Sequence, residues 1–334
     1  MKKVIVIGGG GYVGADLVPK LLRKGYIVTV LDLFIYGPDV LENHKNLRII
    51  KGDIRDKNLL NKSIANHEIL VHLACISNDP SFELNPKLGK SINLDSFRPI
   101  VEISTKQKIR RFIYASSSSV YGIKNEKNVH EKLSLEPLTD YSKYKVECEK
   151  ILQEYTDSNF QTVIIRPATV CGYSRRQRLD VVVNILTNLA FNLRKIKIFG
   201  GNQLRPNINI HDMSNVYIKL MESDDKIING QTFNAGYENL KVDEIGDLVR
   251  EIIGRDVMIE KVPTDDNRSY HISSKKIKDE LDFIPSYSVK DAIKELKLCF
   301  EQNKLPNSLN DNKYFNIKKM QEIELKWPRL DIHI

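Results

Sequence analysis

Apolar residues arrive in this chain as short runs separated by polar turns, and the first runs set the frame. Val4 to Ile7 read as a buried strand, Leu17, Leu21 and Leu22 recur at helical spacing, and Ile27 to Leu31 form a second apolar strand closed by Asp32. Further strand patterns fall at Leu47 to Lys51, Ile69 to Leu73, Phe112 to Ala115 and Thr162 to Arg166. Between them the spacing predicts helices near Asp56 to Ala65, Pro86 to Gln107 and Tyr141 to Thr156, the last with Asp140 as N-cap. This alternation implies the α/β class, a doubly wound parallel sheet covered by helices on both faces. Past residue 167 it breaks into shorter pieces, with helices expected near Asp180 to Asn192, Asp212 to Met221, Val242 to Ile253 and Val289 to Gln302. The expected organisation is a sheet unit over 1–166 and a smaller C-terminal region over 167–334, some of whose segments return to the sheet.

In such a fold ligands bind outside the carboxyl ends of the strands, and the residues there are Gly8, Asp32, Asp53, Leu73, Ala74, Ser116, Ser117 and Pro167. The first of these turns is GGGGYVG. Gly9, Gly11 and Gly14 fit GxGxxG, while Gly8, Gly11 and Gly14 fit GxxGxxG. Either register sets Gly11 against phosphates and Gly14 where the helix packs closely on the sheet. Taken alone, the glycines would also suit a flexible turn. Strand, helix and acidic residue arriving together make it a Rossmann-type dinucleotide loop, with the helix N-terminus facing the pyrophosphate. Asp32 can accept from both hydroxyls of the adenosine ribose and would repel a 2′-phosphate, so NAD is the expected cofactor.

Composition narrows the class without changing it. A chain of 334 residues with 41% hydrophobic content can fill a real core. The longest apolar runs are strand-length and MKKVIVIG is too short for a signal peptide, so no membrane partner and a cytoplasmic location are expected. Cys75, Cys148, Cys171 and Cys299 show no CxxC spacing and no nearby histidine set, so neither a metal site nor a disulfide framework is suggested. The net charge of +8 comes from 51 basic residues scattered among 43 acidic ones, a poor footprint for nucleic acid. Only Arg175, Arg176 and Arg178 form a compact cluster, placed where a phosphorylated substrate could use it.

The candidate chemistry follows the strand that ends at Ala115. Ser116, Ser117, Ser118 and Ser119 come directly after it, and Tyr141-Ser142-Lys143-Tyr144-Lys145 opens a helix further on. Tyr141 and Lys145 stand at i and i+4, on one side of that helix. An ammonium there, with the positive end of the helix, is expected to favour the phenolate, making Tyr141 a base for a sugar hydroxyl while hydride leaves the same carbon for NAD. Tyr237 with Lys241 and Tyr314 with Lys318 also satisfy YxxxK, but they lack the serine strand and are expected to be solvated surface pairs, the first in a loop from Gly236 to Leu240.

These motifs resemble the extended short-chain dehydrogenase/reductase family, in its nucleotide-sugar epimerase and dehydratase branch. The likeness runs from Met1 to about Val289 through GGGGYVG, Gly52-Asp53-Ile54, His72-Leu73-Ala74, Asn93, YASSSSVYG, YSKYK, Arg166-Pro167 and Gly200 to Asp212. It implies that Ser117 binds the reacting hydroxyl, Tyr141 is the acid/base and Lys145 binds the nicotinamide ribose. The cofactor would be lined by Gly8, Gly11, Tyr12, Val13, Gly14, Leu73, Ala74, Asn93, Ser116 and Pro167, with Asp53 and Ile54 beside adenine. Thr169, Arg178, Arg205 and Arg268 would meet the substrate, the last two at its diphosphate, for which guanidinium forks are suited.

Departures from that pattern are informative. Where the 4,6-dehydratases of the branch carry a carboxylate, this chain has Ser118 and Ser119, which disfavours water elimination. Thr169 replaces the usual substrate asparagine, and Arg205-Pro206-Asn207 replaces Arg-Asp-Tyr. The stretch RPATVCGYSRRQRLD, with RPNINIHDM after it, is similar to a subset handling bacterial capsular sugars, the GDP-D-glycero-D-manno-heptose 4-dehydrogenases. The expected activity is therefore oxidation of C4 of a nucleotide-diphosphate sugar, a GDP-sugar being favoured. A 4-epimerase that reduces the ketone again is the alternative, and an NAD(H)-sensing binding protein a remote one. The resemblance further implies a homodimer paired through the helices near Pro86 to Gln107 and Tyr141 to Thr156.

Overall fold

The computed structural model describes residues 2–37, 39–77, 79–264 and 269–323. Its strands are β1 (Lys3–Ile7), β2 (Ile27–Asp32), β3 (Leu47–Lys51), β4 (Ile69–His72), β5 (Arg111–Ala115), β6 (Gln161–Pro167), β7 (Thr169–Cys171), β8 (Lys195–Phe199), β9 (Leu204–Asn209), β10 (Gln231–Ala235), β11 (Glu238–Lys241) and β12 (Met258–Val262). Seven of them form one sheet in the order β10-β6-β5-β4-β1-β2-β3, parallel throughout. This is the Rossmann-type architecture that the alternating pattern implies. Val4, Ile5, Val6 and Ile7 have no exposed surface, as strands covered on both faces require. Side chains alternate across β1: Val4 and Val6 pack with Leu17, Val28 and Met213, while Ile5 and Ile7 pack with Phe97, Phe112 and Leu152.

The strand order reverses beside β1, between β2 and β4, and that switch point opens a crevice. Gly8 stands at its floor with φ +86°, where a Cβ would come within 2.4 Å of the Ala74 amide nitrogen. Gly14 opens the helix Gly14–Arg23, and a Cβ there would lie 2.5 Å from the Gly9 Cα. Both positions are closed to any side chain, which is the close approach the glycine spacing predicts.

Two expectations about helices are corrected. The single helix expected from Pro86 to Gln107 is a short helix Pro86–Lys90, a π-helical turn Ser91–Asp95 and a second helix Phe97–Lys106. The wider turn lets the Asn93 side chain leave the helix and bond the Ile76 backbone, a typical use of π geometry near a site. The helix carrying Tyr141 spans Asp140–Glu154, and its N-cap is Thr139 rather than Asp140. Thr139 has extended backbone and forms a reciprocal box with Ser142, while Asp140 sits in the first turn, where its charge suits the helix dipole.

Beyond the main sheet, β7 and β11 flank β9, and β12 pairs with β8. The expected loop Gly236 to Leu240 is therefore largely strand, although Tyr237 is exposed as expected. Tyr314 is not a surface residue: it is buried, its hydroxyl donates to the Pro306 carbonyl at 3.2 Å, and its own carbonyl accepts from the Leu179 amide. It precedes a helix, Asn316–Glu322, the last among the described residues, that returns to the crevice. No described helix is long and apolar enough to cross a membrane.

Candidate active site

Where β5 ends, its backbone turns sharply and presents the serines. Ser117 caps a short 3-10 turn, Ser118–Tyr121, and its Oγ lies 2.8 Å from Ser119 Oγ. Tyr141, in the first turn of its helix, lines the same cavity as Ser117. Lys145 is one turn further along, with Nζ donating to the Ala115 carbonyl at 2.6 Å and standing 5.8 Å from the centre of the Tyr141 ring. The triad expected from the sequence is thus assembled by one strand end and one helix start.

The electrostatics differ from expectation in one respect. Burial pushes the Tyr141 phenol well above its ordinary range, with Cys75 and Asp79 adding to the shift and Arg178 and Ser117 opposing it. The Lys145 ammonium is turned to the Ala115 carbonyl, 5.8 Å from the ring centre. The phenol is held as an acid by desolvation, and a phenolate requires further positive charge near the ring.

A cavity of about 460 Å³ joins these residues. Gly8, Gly11, Tyr12, Val13, Gly14 and Leu73 form one wall and Ser116, Ser117, Tyr141, Lys145, Pro167 and Thr169 another, with Arg178 and Arg205 reaching in from the C-terminal segments. A narrower pocket of about 120 Å³ continues from it past Asp32, Asp53, Ile54 and Ala74. Asp32 accepts from the amides of Gly10 (3.0 Å) and Phe34 (2.7 Å), which fixes its carboxylate at the pocket wall. These features fit a dinucleotide: a glycine cradle that no Cβ could enter, a fixed acid at the far strand end, and basic side chains along the cavity.

Several expected contacts take a different form. Asn93 does not line either cavity; its amide accepts from the Ile76 nitrogen at 2.8 Å and donates to the Ile76 oxygen at 3.0 Å, shaping the loop from behind. The Tyr12 hydroxyl donates to the Gly172 carbonyl at 2.6 Å and accepts from Asn184, so it ties the glycine loop to the segment that follows β7. The Asp53 carboxylate, at the wall of the narrower pocket, is chelated by Arg55, at 3.0 and 2.6 Å. Arg175 is drawn out to a surface pair with Glu42, which splits the basic cluster, while Arg176 and Arg178 turn inward. Arg268 lies outside the described residues.

Some supporting residues escape a sequence reading. Behind Ser116 sits a buried pair: Arg166 donates to Glu149 through Nε (3.0 Å) and Nη2 (2.6 Å), and Glu149 also accepts from the Ser116 hydroxyl. The available signal was an acid four residues after Lys145, on the inner face of the helix. His211 donates to Asp16 (2.9 Å) and Glu295 (3.0 Å), and these hydrogen bonds push its pKa up to about 9. The resulting imidazolium clamps the glycine-loop helix to the helix Val289–Glu301.

Comparison with known proteins agrees with this geometry. The family model described as "NAD dependent epimerase/dehydratase family" matches residues 4–236. The chain is 27% identical over 307 residues to a "Putative UDP-glucose 4-epimerase" of Methanocaldococcus jannaschii, covering 90% of this chain and 99% of that protein. It is 32% identical over 202 residues to an "Uncharacterized protein y4nG" of Sinorhizobium fredii, with 60% of this chain covered, and spans only 48% of that protein's length. The fold superposes on the crystal structure of a UDP-glucose 4-epimerase from Thermotoga maritima, solved with UDP-glucose, at a TM-score of 0.82, with 24% identity, 90% of this chain and 99% of that one covered. Rossmann sheet, glycine cradle and matched family model lead to one conclusion: the chain belongs to the NAD-dependent epimerase/dehydratase family.

Proposed function

We propose that this enzyme oxidises C4 of a nucleotide-diphosphate sugar to the 4-keto sugar, with Tyr141 as base and a GDP-manno-heptose as substrate. The observation that carries the reading is the convergence of Ser117, Tyr141 and Lys145 on one cavity that the glycine loop, Arg178 and Arg205 also line. In this reading Ser117 donates to the reacting hydroxyl, Tyr141 takes its proton, and Lys145 holds the nicotinamide ribose. NAD, when bound, accepts the hydride from the same carbon and brings positive charge near the phenol. Proton and hydride together leave a carbonyl. Arg205 grips the substrate diphosphate, Arg178 meets the substrate, and Thr169 stands beside the sugar.

Water elimination would need a further acid near the ring. The positions expected to supply it are Ser118 and Ser119, and the cavity carboxylates Asp79 and Asp180 are engaged by Thr139 and Arg178, each at 2.5 Å. Re-reduction is the second reading, favoured by the near full-length match to a protein named as a putative 4-epimerase. Mass spectrometry after incubation with GDP- and UDP-sugars separates the outcomes. We expect a product lighter by two hydrogens from a GDP-sugar; unchanged mass with altered stereochemistry would make it an epimerase, and loss of water would overturn the role given to the serines.

The same reading includes a cytoplasmic location, with the four cysteines as thiols. It also includes a homodimer paired through the helices Phe97–Lys106 and Asp140–Glu154. Leu94, Tyr144 and Ile151 are half-buried there among Lys143, Glu147 and Lys150. Light scattering is expected to give twice the chain mass, and a monomer would remove that part of the proposal.

A further inference from the structure

Arg176 is buried, yet its Nε has no hydrogen-bond partner. Its guanidinium carbon lies 3.5 Å from the centre of the Tyr36 ring, and one Nη donates to the Asn316 amide oxygen at 2.5 Å. The nearby carboxylate, Asp180, is already bound by Arg178 Nε and by the Asn316 backbone amide at 2.9 Å. A buried cation without its own counter-charge is costly unless an anionic ligand completes it.

The position of this charge says which anion. Gly8, Gly11, Tyr36, Ser77 and Asn316 line both the larger cavity and the narrower pocket, and so mark their junction. One end of the channel holds Asp32, the expected ribose partner, and the other holds Tyr141. In a dinucleotide bound along the channel, the diphosphate is the part that lies between those ends. Arg176 stacks on the junction residue Tyr36, and Arg178 reaches the junction at Ser77 Oγ, 3.3 Å away, but is tied to its own carboxylate, Asp180. Arg176, which has no carboxylate of its own among the described residues, is therefore the guanidinium at the junction left to meet an anion.

We propose that Arg176 is a second clamp on the cofactor diphosphate, supplied from the substrate-side segment, and that Asn316 of the final helix fixes it in place. The inference rests on NAD occupying the channel. The glycine loop contributes backbone N–H groups, and Arg176 contributes a planar fork that suits phosphate oxygens. Asn316 acts through Arg176: its side chain also donates to Ser77 Oγ at 3.0 Å, so one residue ties the last helix to both sides of the junction. Met320, on the same helix, lines the narrower pocket, so this segment covers the adenosine end. The family match ends at residue 236 and assigns nothing to it.

The test follows NADH fluorescence in the full chain as bound NADH is displaced by excess NAD. Arg176→Gln is expected to release NADH about tenfold faster or more, as loss of a buried charge-assisted contact implies. Asn316→Ala should also speed release, and the double variant should be no faster than Arg176→Gln alone, because both act through one guanidinium. Affinity for GDP-mannose and UDP-glucose should stay within about twofold of the wild type. Release of NADH within about twofold of the wild-type rate, or a loss that falls on the nucleotide sugars instead, would overturn the clamp. Arg176→Lys, which keeps the charge without the fork, should be intermediate and covers the case in which Arg176→Gln does not fold. A wild-type protein that binds no NADH would remove the cofactor assignment itself.

Discussion

Tyr141→Phe is expected to lower kcat by about 10²- to 10⁴-fold, the range that a positioned acid/base supplies, while NADH still binds and the protein still folds. The phenol lines the cavity beside Ser117 and Lys145, so removing one oxygen takes away the group that receives the proton and little of the packing. Because burial raises its pKa, wild-type kcat/KM should climb with pH through the neutral and alkaline range as the phenolate becomes accessible. In the Tyr141→Phe protein that climb should vanish. Rate–pH profiles measured over a range of concentrations of the accepted nucleotide sugar, beside an NADH titration, separate chemistry from binding. Unchanged turnover in the variant would place the base elsewhere.

What makes the catalytic side of this site legible in sequence is its locality. The glycine loop, its strand and its helix occupy consecutive residues, and Tyr141 and Lys145 are one helical turn apart, so spacing alone puts them together. The apolar strands of the main sheet are legible for a related reason: burial on both faces leaves a continuous hydrophobic run. The three-stranded sheet is not legible because β9 contains Pro206 and polar residues, and its partners β7 and β11 lie on either side of it in sequence. The π turn at Ser91–Asp95 leaves no mark on a 3.6-residue period, since flanking apolar positions satisfy a plain helix equally well.

The acidity of Tyr141 shows where spacing misleads. An i, i+4 ammonium is near in sequence, yet Lys145 points to Ala115, and burial is the largest influence on the phenol, pushing its pKa up. Depth depends on the whole cavity, including Asp79 and Arg178, and no local pattern encodes it. The contact between Arg176 and Asn316 is more remote still: the residues are 140 positions apart, and Asn316 belongs to a tail that periodicity leaves unassigned.

The second large effect concerns stability and the wall behind the serines. Glu149→Ala is expected to destabilise the fold by about 3–5 kcal/mol, because it strands Arg166 as a buried, uncompensated charge. Arg166 also donates to the Tyr121 hydroxyl at 2.9 Å, and Tyr121 donates to Asn234 at 2.7 Å, so the loss spreads from β6 to the neighbouring β10. Urea unfolding of the single variant, set against a double variant with Glu149→Met and Arg166→Met, isolates the cause. Replacing both partners by apolar residues of similar volume removes the stranded charge, and much of the lost stability should return. Activity should not return with it. Ser116 would still lack the carboxylate that accepts its hydroxyl, leaving the adjacent Ser117 less firmly placed against Tyr141. A cost below about 1 kcal/mol for Glu149→Ala, within the range of exposed pairs, would mean that water reaches Arg166 and that this network does not hold the serine turn.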